Sequence, residues 1–130
     1  MKLRNILYSI PILAVTGMPV AADIPLGLWQ SVPDRRGVVV HVRTKPCGGA
    51  ICGQIERAKN LRGYDTPFTD LGRRMLLDMQ VQPDGSYAGQ IWQPHHGRLM
   101  TAQMRVQGNV MQLRNCDGDV CEEVVWKRLR

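Results

Sequence analysis

Aromatic side chains make up only 5% of this 130-residue chain, and phenylalanine occurs once. A surface for nucleic acid needs a cationic stripe interleaved with exposed aromatics. Here the charges are scattered, and Trp29, Tyr64, Phe68, Tyr87, Trp92 and Trp126 mostly sit inside apolar patterns. The sequence therefore argues against a nucleic-acid partner. Past the first residues no apolar run approaches the ~20 residues that a spanning helix requires, so no membrane span is expected. No Gly-x-Ser-x-Gly elbow, spaced metal motif or phosphate-binding glycine loop occurs. Those patterns position a nucleophile, a metal ion or a phosphate, so no catalytic residue, metal site or cofactor is assigned and an enzyme is unsupported. Repeats and low-complexity stretches are missing too.

What is present begins with a leader. Lys2 and Arg4 precede an apolar stretch over 6–15, and Val20-Ala21-Ala22 supplies the small residues of a signal-peptidase site. Residues 1–22 are expected to be a cleaved signal peptide, and 23–130 a single domain of about 108 residues in the periplasm or outside the cell. Asp23 after the cut, in place of cysteine, leaves lipid attachment without an acceptor. Losing Lys2 and Arg4 leaves 15 basic and 11 acidic residues, a balance of +4 against +6 for the whole chain. Such a mild excess speaks first to solubility.

In the remainder, period-2 alternation and turn residues dominate and no 3.6 period persists. Strands are expected at 27–31, 37–44, 51–57, 75–82, 86–92, 98–106, 110–115 and 121–129. Apolar faces run through Val38, Val40 and Val42; Met75, Leu77, Met79 and Val81; Met100, Ala102, Met104 and Val106; and Val124 with Trp126. The alternate positions are polar, as in Asp78, Gln80, Thr101, Gln103 and Arg105, which rules against an outer-membrane barrel with its lipid-facing apolar band. Tight turns such as Pro83-Asp84-Gly85 and Gln107-Gly108-Asn109 separate the strands. Only 58–74 is long. It reads as a loop with room for one helical turn and the reach to act as a lid. The fold expected is all-β: an eight-stranded antiparallel up-and-down barrel whose interior is filled by side chains or holds one small ligand.

The sequence resembles a bacterial family of small exported domains, domain of unknown function twenty-one forty-seven. The likeness runs through Gly27-Leu28-Trp29, Cys47-Gly48-Gly49-Ala50-Ile51-Cys52-Gly53, Pro83-Asp84-Gly85, and Cys116 to Cys121 followed by Val125-Trp126-Lys127-Arg128. Trp92-Gln93-Pro94-His95-His96-Gly97 departs from the family pattern. The resemblance implies fold and compartment and assigns no activity. A second similarity is to lipocalin-like barrels, which open with Gly-x-Trp and pack a basic residue of the last strand over that tryptophan. It implies that Trp29 and Arg128 form a barrel-closing pair.

In an up-and-down barrel successive turns alternate between ends. The Cys47/Cys52 turn, second in order, and the Cys116/Cys121 turn, seventh, then lie at opposite ends. Two local disulfides are expected rather than a four-thiolate zinc site, with redox activity as the rival role. The odd-numbered connections, the seventh among them, ring one end, the mouth, and collect Arg35, Arg36, Tyr64, Asp65, Asp70, Arg73, Arg74, His95 and His96. Beneath it Val40, Met75, Met79, Met100, Met104 and Trp126 are candidates to line a pocket for a small apolar or amphipathic ligand, although the methionines would equally serve to fill a small barrel. The alternative is a ligand-free envelope domain that contacts protein, lipid or polysaccharide through its surface. His41 alternates with Val40 and Val42 and should face outward. His95 and His96, adjacent in a turn, would bind a metal only if a carboxylate such as Asp65 or Asp70 came within reach.

Overall fold

The computed structural model describes residues 24–94 and 96–129. The expected leader and His95 lie outside the described residues. The alternating stretches form eight strands: β1 (Gly27–Gln30), β2 (Val39–Cys47), β3 (Ala50–Lys59), β4 (Arg74–Val81), β5 (Tyr87–Gln93), β6 (Arg98–Gln107), β7 (Val110–Asp117) and β8 (Val120–Leu129). Each pairs antiparallel with the next, and β8 returns to β1, with Trp29 opposite Arg128. The result is the closed up-and-down barrel that the alternation implied. No helix forms among the described residues, so the helical turn allowed for 58–74 is absent. That segment folds back along β3 instead, through a bridge between Lys59 and Asp65 and a Thr66 N–H donated to the Ala58 carbonyl.

The cysteines sit on the last rungs of two hairpins. Cys47 bonds Cys52 across the two-residue Gly48-Gly49 turn, whose positive φ values of 60° and 84° suit glycine and match the strand twist. Cys116 bonds its cross-strand partner Cys121. Such short loops gain only about 2 kcal/mol each in the chain-entropy model. The two bonds staple hairpins, and barrel closure rests on β1 and β8.

β3 and β4 depart from simple alternation, and β4 bears on the expected core. Leu76 and Met79 are both fully buried, whereas Leu77 is partly buried and Val81 is 65% exposed. The cause is a bulge in β4, where the register with β5 shifts between Leu77 and Gln80 and Asp78 adopts φ 51°. An extra residue breaks the phase between its two sides, so Leu76 before the bulge and Met79 after it both face inward, while a second shift against β3, between Leu76 and Arg74, buries Met75 beside Leu76; the expected inward run Met75, Leu77, Met79, Val81 is replaced by Met75, Leu76 and Met79. Gly89 of β5 lies against this bulge. A Cβ there would meet the carbonyl oxygens of Asp78 at 2.6 Å and Leu77 at 2.7 Å.

Trp29 plugs the closed end. It is fully buried, its indole N–H donates to the Pro25 carbonyl at 2.9 Å, and the Arg128 guanidinium lies 4.3 Å from its ring centroid. Arg128 also donates to the carbonyls of Leu26 at 2.6 Å, Ile24 at 3.1 Å and Gly108. Above it Met79, Met104, Met111, Leu113 and Trp126 join one buried cluster that continues to Val40, Met75 and Ile91.

Candidate functional site

One end of the barrel holds a pocket that is open to solvent and reaches down to inward-facing side chains. A cavity of about 1180 Å³ opens at the end formed by the β1–β2, β3–β4 and β5–β6 connections. Its apolar wall comes from inward positions of four strands: Val40 of β2, Met75 of β4, Ile91 of β5, and Val124 and Trp126 of β8. Pro67 and Phe68 of the long loop lean over it, with Phe68 packed against the buried cluster.

Three polar side chains share this wall. On β7 the inward positions are Met111, Leu113 and Asn115, so strict alternation carries an asparagine into the lumen. Asn115 is fully buried, and neither its amide nitrogen nor its amide oxygen has a hydrogen-bond partner in the protein. Its cross-strand neighbour is Glu122. From across the lumen Gln93 donates its side-chain N–H to the Glu122 carboxylate at 3.4 Å. An unpaired buried amide costs about 1–3 kcal/mol, and such groups in native proteins call for an explanation.

The rim is ordered by local hydrogen bonds. Asp34 caps the β1–β2 connection: one carboxylate oxygen accepts the backbone N–H groups of Arg36 at 2.8 Å and Val38 at 2.9 Å, and the other accepts the Arg36 guanidinium at 3.1 Å. Burial pushes this carboxyl up, but the Val38 and Arg36 N–H groups and the Arg36 charge outweigh it and hold it below the ordinary carboxylate range. A depressed value in the folded state means the stabilisation is whole at neutral pH and is lost as pH falls through that lowered value, below about pH 4. Protection of the Arg36 and Val38 amides against hydrogen exchange, corrected for intrinsic rates, should drop in that window. Asp34→Asn should remove the step, and a flat profile in the unmodified protein would contradict the assignment.

The long loop is latched to the outer wall. Trp92 points outward between buried Ile91 and Gln93, donates its indole N–H to Asp70 at 3.2 Å, and carries the Arg73 guanidinium 3.5 Å over its ring. That contact sets Asp70 at the cavity rim and leaves Arg73 outside.

Of the pocket candidates, Val40, Met75 and Trp126 line the cavity. Met79, Met100 and Met104 do not line it, although all six belong to the same buried core. Of the mouth candidates, Arg35, Arg36, Asp70 and His96 reach it. Tyr64 is 66% exposed, and Asp65 pairs with Lys59 and Arg57 along β3; neither lines the cavity, and nor do Arg73 and Arg74. His41 lies beside Gln30, at 3.3 Å, away from the cavity. Among the described residues no group of three His, Cys, Asp or Glu side chains is arranged to hold a metal ion, and no helix is long and apolar enough to cross a membrane. The polar residues of the cavity wall that sequence reasoning missed are Gln93, Asn115 and Glu122. The available signal was a polar residue in the inward phase of β7.

No curated protein matches the chain in sequence. Among solved structures the barrel is similar to protein HP1028 from the human pathogen Helicobacter pylori, described as belonging to the lipocalin family. The TM-score is 0.63 at 17% identity, over 81% of this chain and 82% of that one. At that identity the likeness speaks for the fold alone, a lipocalin-like barrel. In sequence, residues 27–128, from the first strand to the arginine that covers Trp29, match one family along almost all of the described barrel, and the chain belongs to that family: the uncharacterized proteins conserved in bacteria, DUF2147.

Proposed function

We propose that this protein is an exported binding protein that holds one small apolar or amphipathic molecule in the upper half of its barrel. The observation that carries the reading is the roughly 1180 Å³ cavity, walled by Val40, Met75, Ile91, Val124 and Trp126 and bearing an unpaired amide. A hollow of that size suits a drug-sized ligand, and ligand sites are concave and mostly apolar with a few placed polar groups. Export is supported by the leader-like start of the sequence and by two disulfides, which persist in oxidising compartments.

Titration with the neutral fluorophore N-phenyl-1-naphthylamine tests it. Emission should rise and saturate at one probe per chain, with energy transfer from Trp126. Val124→Trp, which places bulk on a half-buried wall position, should weaken binding about tenfold or more by filling the lumen. A probe that fails to bind, or binds the filled variant equally well, would shift the balance to contacts made through the outer surface. Native mass spectrometry of protein recovered from its own cells would then show a retained ligand as added mass if the carrier reading holds.

A further inference from the structure

Resting on the reading of the barrel as a binding chamber, we infer that the chamber selects ligands carrying a neutral amide-type group, an N–H donor beside a C=O acceptor, on an apolar body. The selecting group is Asn115. It is fully buried, lies on the cavity wall, and has both its amide nitrogen and its amide oxygen without a partner in the protein. A carboxamide presents a donor and an acceptor side by side. The group that satisfies both at once is another amide-like edge, such as a carboxamide, lactam, urea or imide.

Other head groups leave something unpaired. An ester or ketone accepts from the Asn115 nitrogen and leaves its oxygen bare, and an ammonium does the reverse. A carboxylate offers only acceptors, and it would also meet Glu122, which faces Asn115 across the β7–β8 pair. Glu122 accepts from Gln93, and no ion pair to it forms among the described residues. Of the two arginines at the rim, Arg36 is already committed to Asp34, and Arg35 stands in the mouth loop and not beside Asn115 on β7. The negative charge next to Asn115 therefore stands against a fatty-acid head at this position.

The layout assigns the other end of the ligand as well. On β8 the inward positions step from Glu122 near the mouth through Val124 to Trp126, so the polar trio stands above the indole, with Met75, Ile91 and Val40 around the space between. The amide head sits at the level of Asn115 and Glu122, and the apolar body points down toward Trp126.

The test is competition against bound N-phenyl-1-naphthylamine by a medium-chain fatty amide, its methyl ester and its carboxylate, all of one chain length. The amide should displace the probe at about tenfold lower concentration than the ester, and at lower concentration still than the carboxylate. Asn115→Leu should bring the amide-to-ester ratio to about one. Glu122→Gln should keep that ratio and reduce the discrimination against the carboxylate several-fold. Ratios are read within each variant, so a general change in affinity cancels. Equal displacement by amide and ester in the unmodified protein overturns the inference while leaving the chamber intact, as does an amide preference that survives in Asn115→Leu. A probe that never enters the unmodified barrel overturns this inference and the binding function together.

Discussion

Replacing Trp29 with alanine should lower the folding free energy by about 3–5 kcal/mol, as for other large-to-small changes of buried aromatics. For a domain of this size that corresponds to a fall of roughly 15–25 °C in melting temperature. Trp29 is fully buried at the closed end, and truncation removes three things together: the ring that fills the barrel floor, the platform under Arg128, and the donor to the Pro25 carbonyl. Arg128, in turn, ties Ile24, Leu26 and Gly108 to β8, so losing its platform loosens the chain on both sides of the β1–β8 seam. Urea denaturation followed by circular dichroism measures the loss. Trp29→Phe separates the contributions, because it retains most of the buried ring and gives up the indole N–H, worth about 1 kcal/mol. A loss below ~1 kcal/mol in Trp29→Ala would mean that the floor is held by something other than this plug.

Gly89→Ala is the second large effect expected, a loss of about 3 kcal/mol, at the upper end of what overpacking costs. The added carbon would sit 2.6 Å and 2.7 Å from two backbone carbonyl oxygens of the β4 bulge and 2.8 Å from the Met79 sulfur. A flexible side chain can turn away from such a contact, but two adjacent carbonyls of a paired strand cannot. The bulge would have to open, and with it the burial of Leu76 and Met79 on either side. Gly48→Ala is the fitting comparison, since no atom lies within 4 Å of a Cβ there and only the φ of 60° opposes it. That backbone penalty is about 1–2 kcal/mol. If the two variants lose equal stability, the bulge is softer than its contacts imply.

The barrel was legible because its grammar is local. Alternation of Met100, Ala102, Met104 and Val106 with polar partners fixes which face of β6 turns inward, and turn residues such as Pro83-Asp84-Gly85 mark the ends of neighbouring strands. In β4 this grammar failed, because register shifts on either side of Leu76 break the phase and nothing in the string Met75-Leu76-Leu77-Asp78-Met79 announces them. The cavity was harder still. Alternation tells inward from outward, but height along the barrel axis depends on the stagger between neighbouring strands, which no single strand encodes. Met79 and Met104 therefore read like Met75, although only Met75 of the three reaches the cavity wall. Asn115 carried a signal in its phase, but a polar residue near a strand end looks like the start of a turn until the strand is seen to continue to Asp117. Loop residues such as Tyr64 and Arg73 were near the mouth in sequence and outside it in space, because the long loop folds along the outer wall and is held there by Trp92.

Pairing of β8 with β1 has a consequence for any macromolecular partner. An open sheet ends in a row of free N–H and C=O groups, and extended peptides are often captured by adding themselves to such an edge. Here every strand has a neighbour on both sides, although β1 covers only Lys127 to Leu129 of β8, so strand addition is closed to a passing peptide and to a second copy of the chain everywhere but along the upper part of β8. A partner that docks elsewhere must recognise side chains on the outer wall or the loops around the mouth, where the identity of individual residues, and not the generic backbone, decides the match.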